Sequence, residues 1–250
     1  MLVLLLVTTV VSLGVSMLLA IRLLKLARQT RRVPEAAIGL SFLLAGVIGY
    51  SLMVAGAAPA MMERVELSRR LMATGYMLIS VGVVLTYLFT WRVFRPTESW
   101  AGIFFGVAAV TVIFTGVPDN IPALSEPSAQ LTGPAFFGFW LGMIARVGSG
   151  AWGAAEAIRY YCQMRKRLAV GLAKPLVTNR FLLWGLASLA ATFIFIVTSL
   201  REDRATIMTP ANMTLISLLT LTAAISQWLA FFPPRRYVRW IERSQALGNA

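Results

Sequence analysis

The 250-residue chain contains no histidine, a single cysteine and only three lysines. Each scarcity removes a class of chemistry. One thiol, Cys162, cannot close an internal disulfide, and a chain without imidazole lacks the usual ligands of zinc centres and haem iron. Lys25, Lys166 and Lys174 all lie between apolar runs, so none is placed to form a Schiff base within one. No aspartate falls inside an apolar run, which leaves Glu156 as the one carboxylate available to an intramembrane proton relay. Gly-rich phosphate loops, nucleophile elbows and the His pair of zinc proteases are all missing. The expectation is a protein that is not an enzyme and carries no metal and no cofactor.

Proline is absent from the middle of every apolar run. All eleven prolines (34, 59, 96, 118, 122, 127, 134, 175, 210, 233 and 234) fall at or outside the ends of these runs. Proline removes a helix hydrogen bond, and lipid offers no water to replace it. The runs therefore read as uninterrupted helices.

What the chain has in abundance is apolar surface. Hydrophobic residues make up 58% and charged residues 13%, a balance that fits lipid rather than water. Seven runs are long enough to cross about 30 Å of hydrocarbon. They lie near 2–21, 36–58, 71–91, 100–117, 135–158, 181–200 and 209–232. The fold class expected is an all-α integral membrane protein, a seven-transmembrane-helix bundle occupying residues 1–232 with an amphipathic tail at 233–250.

The charges orient this bundle. Seventeen basic residues follow the first, third, fifth and seventh runs or precede the sixth, from Arg22 to Arg243, whereas five (Arg64, Arg69, Arg70, Arg201 and Arg204) fall on the other side. That second side also holds six of the ten acids: Glu63, Glu66, Asp119, Glu126, Glu202 and Asp203. The positive-inside rule then puts the N-terminus outside and the C-terminus in the cytoplasm, with a bacterial inner membrane as the expected location. The first run has no basic stretch before it, which favours a retained helix over a cleaved signal. The net charge of +13 reads as loop asymmetry and attraction to anionic lipid headgroups. Because the basic residues are spread over short loops, nucleic acid is not an expected partner.

The chain also repeats itself. Ala20-Ile21-Arg22 recurs 137 residues later as Ala157-Ile158-Arg159. Leu78-Ile79-Ser80 with Trp91, Phe94 and Pro96 recurs at the same offset as Leu215-Ile216-Ser217 with Trp228, Phe231 and Pro233. Phe42-Leu43-Leu44-x-Gly46 recurs as Phe181-Leu182-Leu183-x-Gly185, shifted by two residues. Chance similarity among apolar helices is the competing explanation, and the shared Trp-x2-Phe-x-Pro ending argues against it. The repeat implies three helices (1–96), a linker helix with an outer loop (97–134) and three helices again (135–232), a 3+1+3 parallel arrangement.

Arg146 stands out in the fifth run, about 16 Å from its outer end by helix rise. A charge at that depth needs water, a partner or the bundle interior. It is either the anchor of an anionic or strongly polar ligand or a cation bonded to neighbouring carbonyls and hydroxyls. Ser149, Ser12, Ser80 and Ser217, with Tyr76, Thr220 and Gln227, are the further candidate pocket residues; packing hydroxyls returned to their own helices are the alternative. Glu156 and Arg159, three apart, are expected to pair at the inner interface. Gly102-x3-Gly106 and Gly138-x3-Gly142 are expected to let backbones approach. In the tail, from Pro234 to Gln245, Tyr237, Trp240 and Ile241 share one face, with Arg235, Arg236, Arg239 and Arg243 for lipid or a cytoplasmic protein partner.

In topology the chain resembles microbial rhodopsins, but a lysine in the seventh run is absent, so retinal is excluded. It also resembles SWEET-type sugar facilitators, yet it has neither Pro-Gln pairs nor prolines within runs. The Phe231-Phe232-Pro233-Pro234-x2-Tyr237-x2-Trp240 ending resembles uncharacterised bacterial inner-membrane proteins, including seven-pass sensory modules. The tail likeness implies no activity; the residues themselves point to a receptor-like or scaffold-like bundle of straight helices binding a small lipophilic or weakly polar ligand, or else to a facilitative transporter with its site between the two helix triplets near Arg146. A homo-oligomer is compatible with either.

Overall fold

In the computed structural model, residues 2–58, 61, 63–116, 134–199 and 209–248 are described, and among them regular structure is entirely helical. Helix α1 is Leu2–Thr30. Helix α2 (Val33–Ser41) runs on through a π-helical stretch (Phe42–Gly49) into α3 (Tyr50–Gly56), forming one rod. Then come α4 (Val65–Phe94), α5 (Ser99–Phe114), α6 (Pro134–Ala169), α7 (Pro175–Ser199), α8 (Pro210–Phe231) and α9 (Arg235–Gly248). The π stretch corrects the expectation of straight α-helices: the second rod widens where its backbone bonds skip to the fifth residue. The expected outer-loop residues Asp119, Glu126, Arg201, Glu202, Asp203 and Arg204, and Pro59, Pro118, Pro122 and Pro127, lie outside the described residues.

Proline starts helices here, where a missing N–H costs nothing. Pro34 and Pro210 sit in the first turns of α2 and α8, and Pro134 and Pro175 open α6 and α7. Helix α6 stops at Gly171 (φ 73°), whose N–H donates to Leu168 O at 3.0 Å while Leu172 N–H donates to Arg167 O at 2.8 Å. This left-handed reversal is the helix ending that glycine suits best. Helix α1 ends the same way on Arg31 (φ 54°), whose N–H donates to Ala27 O at 2.8 Å.

Among the described residues, five helices are long and apolar enough to cross a membrane: α1, the α2–α3 rod, α4, α7 and α8. Helix α5 is apolar but has 16 residues, and α6, 36 residues long, is diluted by glycines and Arg146. Many large apolar side chains face outward, among them Val10, Ile103, Val110 and Ile144, each more than 60% exposed. An outward apolar surface of this extent belongs in lipid.

The chain forms two compact units, residues 16–149 and residues 1–15 with 150–250. In the first, α4 lies against the α2–α3 rod and against α5. Its contact with the rod is a glycine seam. A Cβ on Gly49 would come 2.9 Å from Gly75 O, and one on Gly75 would come 2.7 Å from Gly49 O. Gly56 meets Ser68 O and Met72 in the same way. Hydroxyls tie the seam: Ser41 Oγ donates to Gly82 O at 2.8 Å, and Ser68 Oγ to Gly56 O at 2.7 Å. The expected GxxxG pairs are only half used. Gly102 meets Trp91 and Gly142 meets Arg146 and Thr115, but Gly106 and Gly138 face open space.

In the second unit, α7 and α8 pack along each other and α9 docks on α7. Asn179 Nδ2 donates to Tyr237 Oη at 2.6 Å, and Ile241 is buried. Trp240, expected on the same face as Ile241, is 63% exposed and stacks on Tyr237. Each residue step along a helix rotates by 100°, enough to put Trp240 on the rim and Ile241 underneath.

Candidate functional site

The site is centred on Arg146, twelve residues into α6 and therefore about 18 Å from its start. The side chain is 5% exposed. Nη1 donates to Thr115 Oγ1 at 3.3 Å, and Nη2 to Ser80 Oγ at 3.2 Å and to Val112 O at 3.5 Å. The guanidinium carbon lies 4.5 Å from the centre of the Tyr76 ring. Helices α4, α5 and α6 thus converge on one cation. Every partner among the described residues is neutral, and each bond is longer than the 2.7–2.9 Å usual for charged donors on carboxylates. Nε, also buried, has no acceptor among the described residues.

The positions around the cation are set by local sequence. Tyr76 and Ser80 are four apart on α4, so they share a face. Thr115 closes α5, where its Oγ1 also donates to Thr111 O at 2.8 Å, leaving a lone pair for Arg146. Gly142, one turn before Arg146, must lack a side chain: a Cβ there would lie 2.6 Å from Nη1 and 2.7 Å from Thr115 Oγ1. Gly116 is constrained likewise by Ser80 Oγ at 2.7 Å. About two turns beyond Ser80 on α4, Tyr87 Oη donates to Ala145 O at 2.7 Å and the ring meets Phe104 edge-on. The same three helices are therefore joined a second time.

Of the residues expected at the pocket, Tyr76 and Ser80 touch Arg146. Ser149 is buried and returns its hydroxyl to Arg146 O at 2.9 Å, a bond within its own helix. Ser12, Ser217, Thr220 and Gln227 belong to the other compact unit. Ser217 is fully buried there, its hydroxyl without a partner among the described residues, while Ser12, Thr220 and Gln227 are half-buried. Thr115, Val112, Gly142 and Tyr87 were not legible as site residues; a threonine-glycine pair ending an apolar run was the available signal.

Glu156 is 5% exposed and Arg159 is exposed, and no ion pair between them is found among the described residues. The two lie three residues apart on α6, and their environments differ. On the surface of α4, Glu66 pairs with Arg69 and Arg70. In the tail, Pro233, Arg235, Val238 and Arg239 line a shallow open concavity, and Arg236 and Arg243 are exposed. No family model, curated protein or solved structure matches the chain.

Proposed function

We propose that the chain is a seven-pass inner-membrane protein, N-terminus outside and C-terminus cytoplasmic, that acts as a receptor-like or scaffold-like bundle. Helices α5 and α6 would complete the seven spans. Their outward side chains, including Ile103, Val107 and Val110 on α5 and Phe137, Leu141 and Ile144 on α6, are apolar, as lipid requires.

The internal repeat is supported by matching burial. Ala20 and Ala157 are both buried, as are Ser80 and Ser217. Gly46 packs on Ser16 of α1, and its counterpart Gly185 packs on Ile158 of α6. In each triplet a corresponding glycine of the second helix faces the first, on positions five residues apart in the repeat.

The observation that carries the functional reading is the Arg146 cradle. A membrane-buried cation that three helices hold through neutral dipoles alone keeps its charge available to a ligand presenting an acceptor. The basic residues of α9 would face anionic headgroups or a cytoplasmic protein. A facilitative transporter is the second reading, favoured by the same depth of Arg146. The double tie of α4, α5 and α6 through Arg146 and Tyr87 favours the receptor, because a carrier must let such helices part.

The deciding experiment is a structure of protein extracted with its native lipids. Non-protein density against Arg146, lost in Arg146→Gln, is expected. If the native chain shows none, and Arg146→Gln folds and melts as the native protein does, the site reading fails. Solute flux in proteoliposomes that Arg146→Gln abolishes would move the assignment to a transporter.

A further inference from the structure

We infer that the Arg146 cradle binds a small monovalent anion, of halide to formate size, within the membrane. The inference rests on the reading of this cradle as a ligand site and names the ligand's class. Three features select it.

The first is charge. The guanidinium touches Tyr76, Ser80, Val112 and Thr115, and none of these carries a negative charge. Neutral dipoles offset only part of the cost of a cation in apolar surroundings, whereas an anion at hydrogen-bond distance forms a charge-assisted bond. The second is donor direction. Nε is buried and unpartnered, so an N–H of the planar fork remains for an acceptor. Neutral ligands would repeat what Ser80 and Thr115 already supply and leave the charge unbalanced. The third is size. Backbone at Gly142 and Gly116 approaches the cradle so closely that a single added carbon would fall within 2.7 Å of Arg146, Ser80 or Thr115. Nε is itself fully enclosed, so any acceptor that reaches it between these walls must be of very few atoms. With one cation in the cradle, a monovalent ion balances it, and a divalent one would arrive with an uncompensated charge.

The test uses the full chain in zwitterionic nanodiscs, unfolded thermally and followed by tryptophan fluorescence. Sodium bromide replaces sodium gluconate at constant ionic strength. Bromide at ten times its half-saturating concentration raises the folded-to-unfolded ratio about elevenfold, a rise in Tm of about 3–6 °C. Arg146→Gln abolishes the rise, and Arg146→Lys, which keeps charge but loses the fork, shifts half-saturation to higher bromide. Anomalous scattering from bromide in the native protein needs no variant and places the ion against Nε. A flat bromide titration of the native chain, an equal rise in Arg146→Gln, or a bromide peak elsewhere overturns the inference. Native-lipid density against Arg146 together with a flat bromide titration overturns the anion while the ligand site stands. Failure of both removes the site as well.

Discussion

At the scale of single residues, what is missing from Gly142 matters as much as what Arg146 supplies. The guanidinium reaches Thr115 and Ser80 across the position a methyl group would take. Gly142→Ala is expected to lower stability by about 1–3 kcal/mol through overpacking. Gly138→Ala, one turn earlier in open space, is expected to raise it by up to about 1 kcal/mol, since alanine is the better helix former. Unfolding of the two variants in the same micelles separates them, and equal effects would remove the steric account. Tyr87→Phe removes the hydroxyl that donates to Ala145 O. Its expected cost is about 0.5–1.5 kcal/mol with little structural change, read from the same unfolding curves.

At the scale of elements, α1 and α6 end on the same left-handed turn with different residues. Gly171 adopts it without steric conflict, whereas Arg31 pushes its Cβ against the backbone. Arg31→Gly is expected to stabilise the protein by about 1 kcal/mol and Gly171→Ala to destabilise it by a similar amount, both measured as shifts in thermal midpoint. Element positions were largely legible in the sequence, because apolar length and proline placement are one-dimensional properties. The seam between α4 and the α2–α3 rod was not. Gly49 and Gly56, like Gly75 and Gly82, are spaced by seven, and nothing in a single chain says which glycines face a neighbour. The GxxxG spacing pointed to Gly106 and Gly138, which face nothing. The π stretch escaped for a related reason: it is a change in backbone bonding that Phe42–Gly49 does not announce through composition.

At the scale of the whole molecule, Arg146 was conspicuous because charge is rare in apolar runs, and its partners Tyr76 and Ser80 were in view. Thr115 was hidden because its place beside Arg146 depends on how α5 meets α6, which no spacing within one helix encodes. The proposed topology is open to a direct measurement. Cys162 is the only thiol and it is exposed on α6. A membrane-impermeant maleimide is expected to label it in inverted vesicles and to leave it unlabelled in right-side-out ones; the opposite pattern inverts the topology.

The short link after α1 has a consequence for biogenesis. Only Arg31 and Arg32 separate α1 from the rod that begins at Val33, and the chain reverses on that single left-handed residue. With so little slack between them, α1 and the α2–α3 rod would have to enter the bilayer together in the proposed topology. Arg28, Arg31 and Arg32 at the bend between them would anchor the pair on the side from which the ribosome delivers it.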